Sequence, residues 1–257
     1  MHMKTIVKYV LLDLIKNKTV AVYTIVLFIL SFSVLGMSGN ISKGILSLLN
    51  VTLLFVPLIN LLFSTIYFFN SSEFIELLLA QPVKRKTMLL ANYTGVATAL
   101  TAAYVIGIGV PVMMLAFNPA SLMLLLSGVF LTLVFSAIGL LIFVIFSDKT
   151  KGIGAAIVTA LFFTLIFDGL LLAFIYSFSD YPIDKPVIGF ISLNPIDLGR
   201  ILVLLKLDVA VMMGYSGALF KKFLGSFIGI AYACTCLLIW VALPLIASVR
   251  IFRRKNL

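Results

Sequence analysis

Six long apolar stretches organise this chain: Val20 to Met37, Ile45 to Phe69, Met88 to Phe117, Leu122 to Phe146, Ile153 to Phe178 and Phe227 to Val249. A helix needs about 20 mainly apolar residues to cross a hydrocarbon layer about 30 Å thick, so each stretch is long enough, some with tilt. In lipid the backbone must satisfy its own N–H and C=O groups, which a helix does within one segment. A β-barrel would instead alternate apolar and polar residues at every second position, and these stretches are continuously apolar. The pattern predicts an all-α integral membrane protein: one domain over residues 1–257 with six transmembrane helices.

The intervening segments predict three further elements. Ahead of the first stretch, Lys4 to Lys18 sets Ile6, Val7, Val10, Leu11, Leu14 and Ile15 along one side and lysines along the other, an N-terminal amphipathic helix lying in the interface. Between the second and third stretches, Asn70 and Glu73 have the spacing of a capping box, and Glu73 and Glu76 suit the positive end of a helix dipole. Phe74, Leu77 and Leu78 form an i, i+3, i+4 apolar face, Pro82 stops the helix, and Lys84, Arg85 and Lys86 reach the lipid headgroups. Between the fifth and sixth stretches, the outer segment 179–226 is too apolar for a linker and too interrupted by Pro182, Pro186, Pro195 and Gly199 for another span. It predicts short interfacial helices, one of them capped by Asn194, opened by Pro195, with Asp197 third and an apolar body of Ile201, Leu202, Leu204 and Leu205. Asp197 and Arg200 share a face of that helix and can pair.

Composition removes most soluble alternatives. Of 257 residues 63% are hydrophobic and 11% charged, which no soluble domain matches. The net charge of +10 lies beside the apolar stretches and forms no exposed basic stripe, so the expected partner is the lipid bilayer and not nucleic acid. Alternate connections carry thirteen and six lysines and arginines, which places both termini in the cytoplasm of a bacterial inner membrane, multi-pass. The first stretch starts late, is long and has no small-residue cleavage site behind it, so a cleaved signal peptide is not expected. Cys234 and Cys236, two apart, do not face each other on a helix and are expected to pack as small hydrophobes.

Catalytic patterns are missing: no phosphate loop, no His-Glu-x-x-His, no Gly-x-Ser-x-Gly, and His2 as the only histidine. Asp168 is the one acid well inside a stretch, where a charge costs roughly 2.5–3.5 kcal/mol on insertion scales, so it needs a bundle-facing partner or a wet cavity. Asn60 and Asn92 are candidate partners, and a structural hydrogen bond and a role in a pathway both remain open. Met113-Met114 and Met212-Met213 offer thioethers suited to Cu(I), but adjacent helical residues diverge by about 100°, so packing is the expected role and no metal site is assigned.

Glu76-Leu-Leu-Leu-Ala-Gln-Pro-Val-Lys-Arg85 resembles the first cytoplasmic loop of ABC-2-type transporter permeases. The amphipathic N-terminal helix, the six spans and the large last outer loop are similar to that family as well. Leu193-Asn-Pro-Ile-Asp-Leu-Gly-Arg200, Gly214-Tyr-Ser-Gly-Ala218 and Ser147-Asp-Lys-Thr-Lys-Gly152 are similar, more narrowly, to the permease subunit of the transporters that mature nitrous oxide reductase. The resemblance implies a permease with no enzyme activity of its own, whose ATP and Mg are bound by a separate ABC ATPase subunit. It implies a homodimer, a coupling helix formed by Glu73, Phe74, Glu76, Leu77, Pro82, Lys84 and Arg85, and a role in assembling a copper-sulfur centre. It also implies a periplasmic β-helical accessory protein, for which the outer segment offers Asn194, Pro195, Asp197, Arg200 and Tyr215 as a docking edge; a lid packed on its own bundle is the competing expectation. The alternatives are a generic ABC-2 exporter of a lipid, drug or ion, an intramembrane enzyme built on Asp168, and a scaffold without transport.

Overall fold

The computed structural model describes residues 3–72, 74, 84–178, 184–207 and 214–254. Every regular element among them is helical, as the apolar pattern predicts. Helix α1 (Met3–Ile15) precedes α2 (Lys18–Met37), α3 (Ile41–Asn70), α4 (Arg85–Leu115), α5 (Pro119–Ile145) and α6 (Lys149–Ser177). Two short helices follow, α7 (Asp184–Ser192) and α8 (Pro195–Leu204), and α9 (Gly214–Arg254) closes the chain, its part Phe227–Arg253 apolar enough to cross. With α2 to α6 that makes six crossing helices among the described residues.

Short polar residues set where these helices begin. Asn17, Asn40, Asn118 and Asp148 each accept a backbone N–H of the following first turn, at 2.9, 2.9, 2.8 and 2.7 Å. Asn118 and Ser121 complete a reciprocal capping box, since the Ser121 hydroxyl accepts the Asn118 N–H at 2.9 Å. At Asn40, Asn118 and Asp148 the cap follows the preceding span within a few residues, a connection that suits antiparallel neighbours.

The bundle is built around α5, two-thirds of whose central stretch is buried (67%) against 17% for α6 and for the last span. Asn60 Nδ2 on α3 donates to Thr132 Oγ1 on α5 at 3.0 Å, and that hydroxyl donates to the Gly128 carbonyl at 2.8 Å. Interhelical bonds of this kind contribute about 0.6–2 kcal/mol in lipid. Tyr104 from α4 lies across Gly128 and donates its hydroxyl to Leu124 O at 2.9 Å; a Cβ at 128 would collide with the phenol ring. Gly95 on α4 likewise admits Val10 of α1, and Ile6, Val10 and Leu14 are buried at one i, i+4, i+8 row. Ile15, expected on that apolar side, is exposed instead: at i+1 from Leu14 it lies about 100° round the helix.

A proline explains the contact of α2 with α4. Pro111 has no N–H, so the Gly107 carbonyl one turn back loses its helical partner. The segment Val105–Gly109 is π-helical, and Ser31 Oγ of α2 donates to Gly107 O at 2.8 Å. Sequence reasoning made no use of Ser31, although a proline inside a span always leaves a carbonyl to satisfy.

Lysines and arginines collect at one end of this bundle. Lys149 Nζ reaches Asn70 Oδ1 at 2.7 Å, and the Tyr67 hydroxyl donates to Asp13 Oδ2 at 3.0 Å, so the start of α6, the end of α3 and α1 share that end. Asn70, expected to cap a loop helix, is instead the last residue of α3, because the capped apolar run of α3 continues to it without a break. Val158, Leu165 and Leu172 on α6 and Ile25 and Ile29 on α2 are exposed, as they can be where lipid is the solvent.

Candidate functional site

Asp168 opens the last part of α6 directly after a second π-helical stretch, Phe162–Ile166. Counted from Ile153, it lies roughly 22 Å along a helix of 1.5 Å rise per residue, in a layer about 30 Å thick. It is therefore in the third of the bilayer away from the basic end. Its partner is Arg200 of α8, neither Asn60 nor Asn92: Arg200 Nη2 sits 3.1 Å from Asp168 Oδ2. Asn60 is engaged with Thr132, and Asn92 Nδ2 donates within its own helix to Met88 O at 3.3 Å.

Arg200 also holds Asp197, Nη1 to Oδ1 at 3.1 Å. Asp197 Oδ2 accepts Asn194 Nδ2 at 3.0 Å, and the same amide donates to Phe163 O at 3.2 Å. Asn194 Oδ1 caps α8 by accepting the Ile196 N–H at 3.0 Å, with Pro195 as the first helical residue. The cap, the opening proline and the Asp197–Arg200 pair thus fall where the spacing predicts. A π-helical stretch shifts carbonyls out of their usual ladder, and the Phe163 carbonyl is one that a side chain from another element reaches. Two carboxylates share one guanidinium, so the cluster carries a formal charge of −1. Arg200 and Asp168 are each about one-third exposed, Asp197 only 5%. Asp168 Oδ1 is buried with no hydrogen-bond partner among the described residues.

The elements around the cluster correct one expectation. Helices α7 and α8 are bent by 110° at the break between them, and α8 is packed against α5, α9 and α3. Asn194, Pro195 and Asp197 are buried within the single chain, leaving Arg200 as the partly accessible member, so the outer edge expected for docking is not a surface here. The physical reason is the sequence Ile196-x-Leu198-x-x-Ile201-Leu202-Val203-Leu204, apolar on all sides and therefore unable to leave one face in water. Of the two expectations, the packed lid describes α8. The hairpin is pinned from the other side as well: Trp240 Nε1 donates to Ser192 O at 3.1 Å, and the Ser192 and Tyr232 hydroxyls are 2.9 Å apart. Tyr215 lies in the first turn of α9, and its side chain is outside the described residues.

Glu73, Glu76, Leu77 and Pro82 lie outside the described residues. Phe74 is 42% exposed, Lys84 is the N-cap of α4 without a side-chain cap bond, and Arg85 begins that helix. Among the described residues no three His, Cys, Asp or Glu side chains gather as metal ligands. Met113 and Met114 are exposed at the end of α4.

Six apolar helices, a bent helical pair held by an ion cluster, and exposed apolar faces define a polytopic all-α integral membrane protein. No family model matches the chain. It is 27% identical over 238 residues to the probable ABC transporter permease protein NosY of Stutzerimonas stutzeri, an alignment covering 84% of this chain and 82% of the relative. The chain thus resembles ABC transporter permeases of the NosY type, and this similarity supports the permease subunit of an ABC transporter as its class.

Proposed function

We propose that the chain is the membrane half of an ATP-driven ABC-2-type transporter, a single transmembrane domain over residues 1–257 working as a homodimer with a separate ATPase that binds ATP and Mg. The observation that carries this reading is the similarity to a permease over 84% of the chain. Both termini face the cytoplasm in this reading, since the basic end holds α1, the start of α4 and the end of α9. Glu73, Phe74, Glu76, Leu77, Pro82, Lys84 and Arg85 form the coupling segment received by the ATPase. Closure of the ATPase dimer moves that segment, and the packed helices answer with a two-state shift.

The finer role we propose is assembly of the copper-sulfur centre of nitrous oxide reductase, with copper and sulfur held by that enzyme and its periplasmic helpers. What supports it is the name of the relative together with the Leu193 to Arg200 and Ser147 to Gly152 motifs. A bacterium lacking its own permease of this type supplies the test: this chain, expressed with its ATPase, should restore the visible absorption of the matured periplasmic enzyme. Unrestored absorption alongside a copurifying, active ATPase would leave only the coarser transporter class. Charge reversal at Glu76 (Glu76→Lys) should abolish both ATPase copurification and maturation; a variant that keeps both removes the coupling assignment.

A further inference from the structure

A cleft of about 340 Å³ opens at the basic end between the start of α4 and the end of α9, at the small end of the range for ligand sites. Its walls are Leu90 from α4 and Leu245 and Val249 from α9, and its mouth carries Lys86, Arg250 and Arg253. The order along both helices is the same. Lys86 precedes Leu90 by one turn at the start of α4, and Arg253 follows Val249 by one turn at the end of α9. Apolar wall thus lies toward the bilayer centre and cations toward its surface.

Those cations are uncompensated among the described residues. None of the three makes a salt bridge or side-chain hydrogen bond there. The two described acids at this end are engaged elsewhere, Asp13 with the Tyr67 hydroxyl and Asp148 with the Thr150 N–H. The first turn of α4 adds its own positive end beside Lys86, since Lys84 provides no side-chain cap.

We propose that this cleft is a binding site for an anionic phospholipid of the adjoining leaflet, the phosphate held by Lys86, Arg250 and Arg253 and one acyl chain lying along Leu90, Leu245 and Val249. Charge complementarity selects the occupant: three cations lining one cleft call for an anion, and the apolar wall beside them calls for a chain attached to it. A free phosphate leaves that wall unfilled, and an acidic protein surface has nothing to place in it. The inference needs only the membrane setting of the bundle and is independent of the ATPase and of the cargo.

The test uses the full chain in phosphatidylcholine vesicles doped with spin-labelled phosphatidylglycerol, compared with spin-labelled phosphatidylcholine. The protein should hold phosphatidylglycerol preferentially. Each single change, Lys86→Gln, Arg250→Gln or Arg253→Gln, should lower that preference about fivefold, and the triple variant on the order of a hundredfold. A control with the same charge loss on α1, Lys4→Gln with Lys8→Gln and Lys16→Gln, should keep most of it. Leu90→Trp retains every cation and fills the cleft, so it too should lose the bound lipid. The proposal is overturned if the triple variant retains its preference, if the α1 control loses as much, or if Leu90→Trp binds normally. It is overturned equally if glycerol 3-phosphate displaces the lipid at comparable concentration, because the acyl wall would then contribute nothing.

Discussion

Removing Arg200 should harm the protein far more than removing Asp168, although the two form one ion pair. Arg200 is bonded to both Asp168 and Asp197 at 3.1 Å, and Asp197 is 5% exposed. In Arg200→Met the methylene volume stays but Asp197 and Asp168 both lose their cation, and the buried Asp197 carboxyl is left with only the Asn194 amide. Breaking a buried pair from one side costs about 3–5 kcal/mol. In Asp168→Asn the guanidinium retains Asp197, and the lost contact is between groups each about one-third exposed, so the cost is about 1 kcal/mol or less after solvent screening. At roughly 2–4 °C per kcal/mol for a chain of this size, Arg200→Met should lower the midpoint by on the order of 10 °C and Asp168→Asn by only about 2 °C. The assay is thermal loss of the monodisperse peak in detergent size-exclusion chromatography. Adding Asp197→Asn to Arg200→Met removes the more deeply buried acid and leaves Asp168 alone without its cation, so it should recover part of the deficit, a coupling that a double-mutant cycle reads directly. Equal losses for Arg200→Met and Asp168→Asn, or no recovery in the double variant, would refute the reasoning.

Three further outcomes follow from the packing. Ser31→Ala leaves the Gly107 carbonyl without a donor beside Pro111 and should cost about 1 kcal/mol, seen as a lower midpoint in the same assay; no change would mean that water or another donor serves that carbonyl. Gly128→Val drives a side chain into the buried Tyr104 ring, and loss of the monodisperse peak is expected, rescued in part by Tyr104→Ala; wild-type behaviour of Gly128→Val would show that α4 and α5 are not this close. Gly95→Leu displaces Val10 and should free α1, read as faster proteolysis after Lys4, Lys8 and Lys16 with the rest of the bundle intact; unchanged cleavage would mean that α1 is held by other contacts.

The spans were legible because lipid imposes one rule on every residue of a crossing helix, so the apolar stretches from Val20 to Val249 mark six helices without any knowledge of packing. The caps were legible for the same local reason: Asn194, Pro195 and Asp197 need only their own first turn to take up their places. What the pattern hid is who faces whom. Asn60 was as good a candidate for Asp168 as any, until the helices are registered and Asn60 is found opposite Thr132. A signal for the true partner was present, since Asp168 and Arg200 are opposite charges each stranded in apolar sequence, and stranded charges at membrane depth seek each other.

The hairpin shows where local reasoning ends. Seen alone, Pro195 to Leu205 has a polar residue pair on an apolar body and reads as a helix lying on a surface. Whether such a helix stays at the surface depends on whether its polar groups can be satisfied deeper down. Here they can: Asn194 finds the Phe163 carbonyl offered by the π-helical stretch of α6, and Arg200 finds Asp168. Those two contacts remove the cost that would otherwise keep an Asn, an Asp and an Arg at the interface. The burial of α8 therefore needs both its apolar body and an irregularity in another helix more than 30 residues away, and a change that restores regular α-helix across Phe162–Ile166 should push the hairpin outward even with every residue of α8 intact.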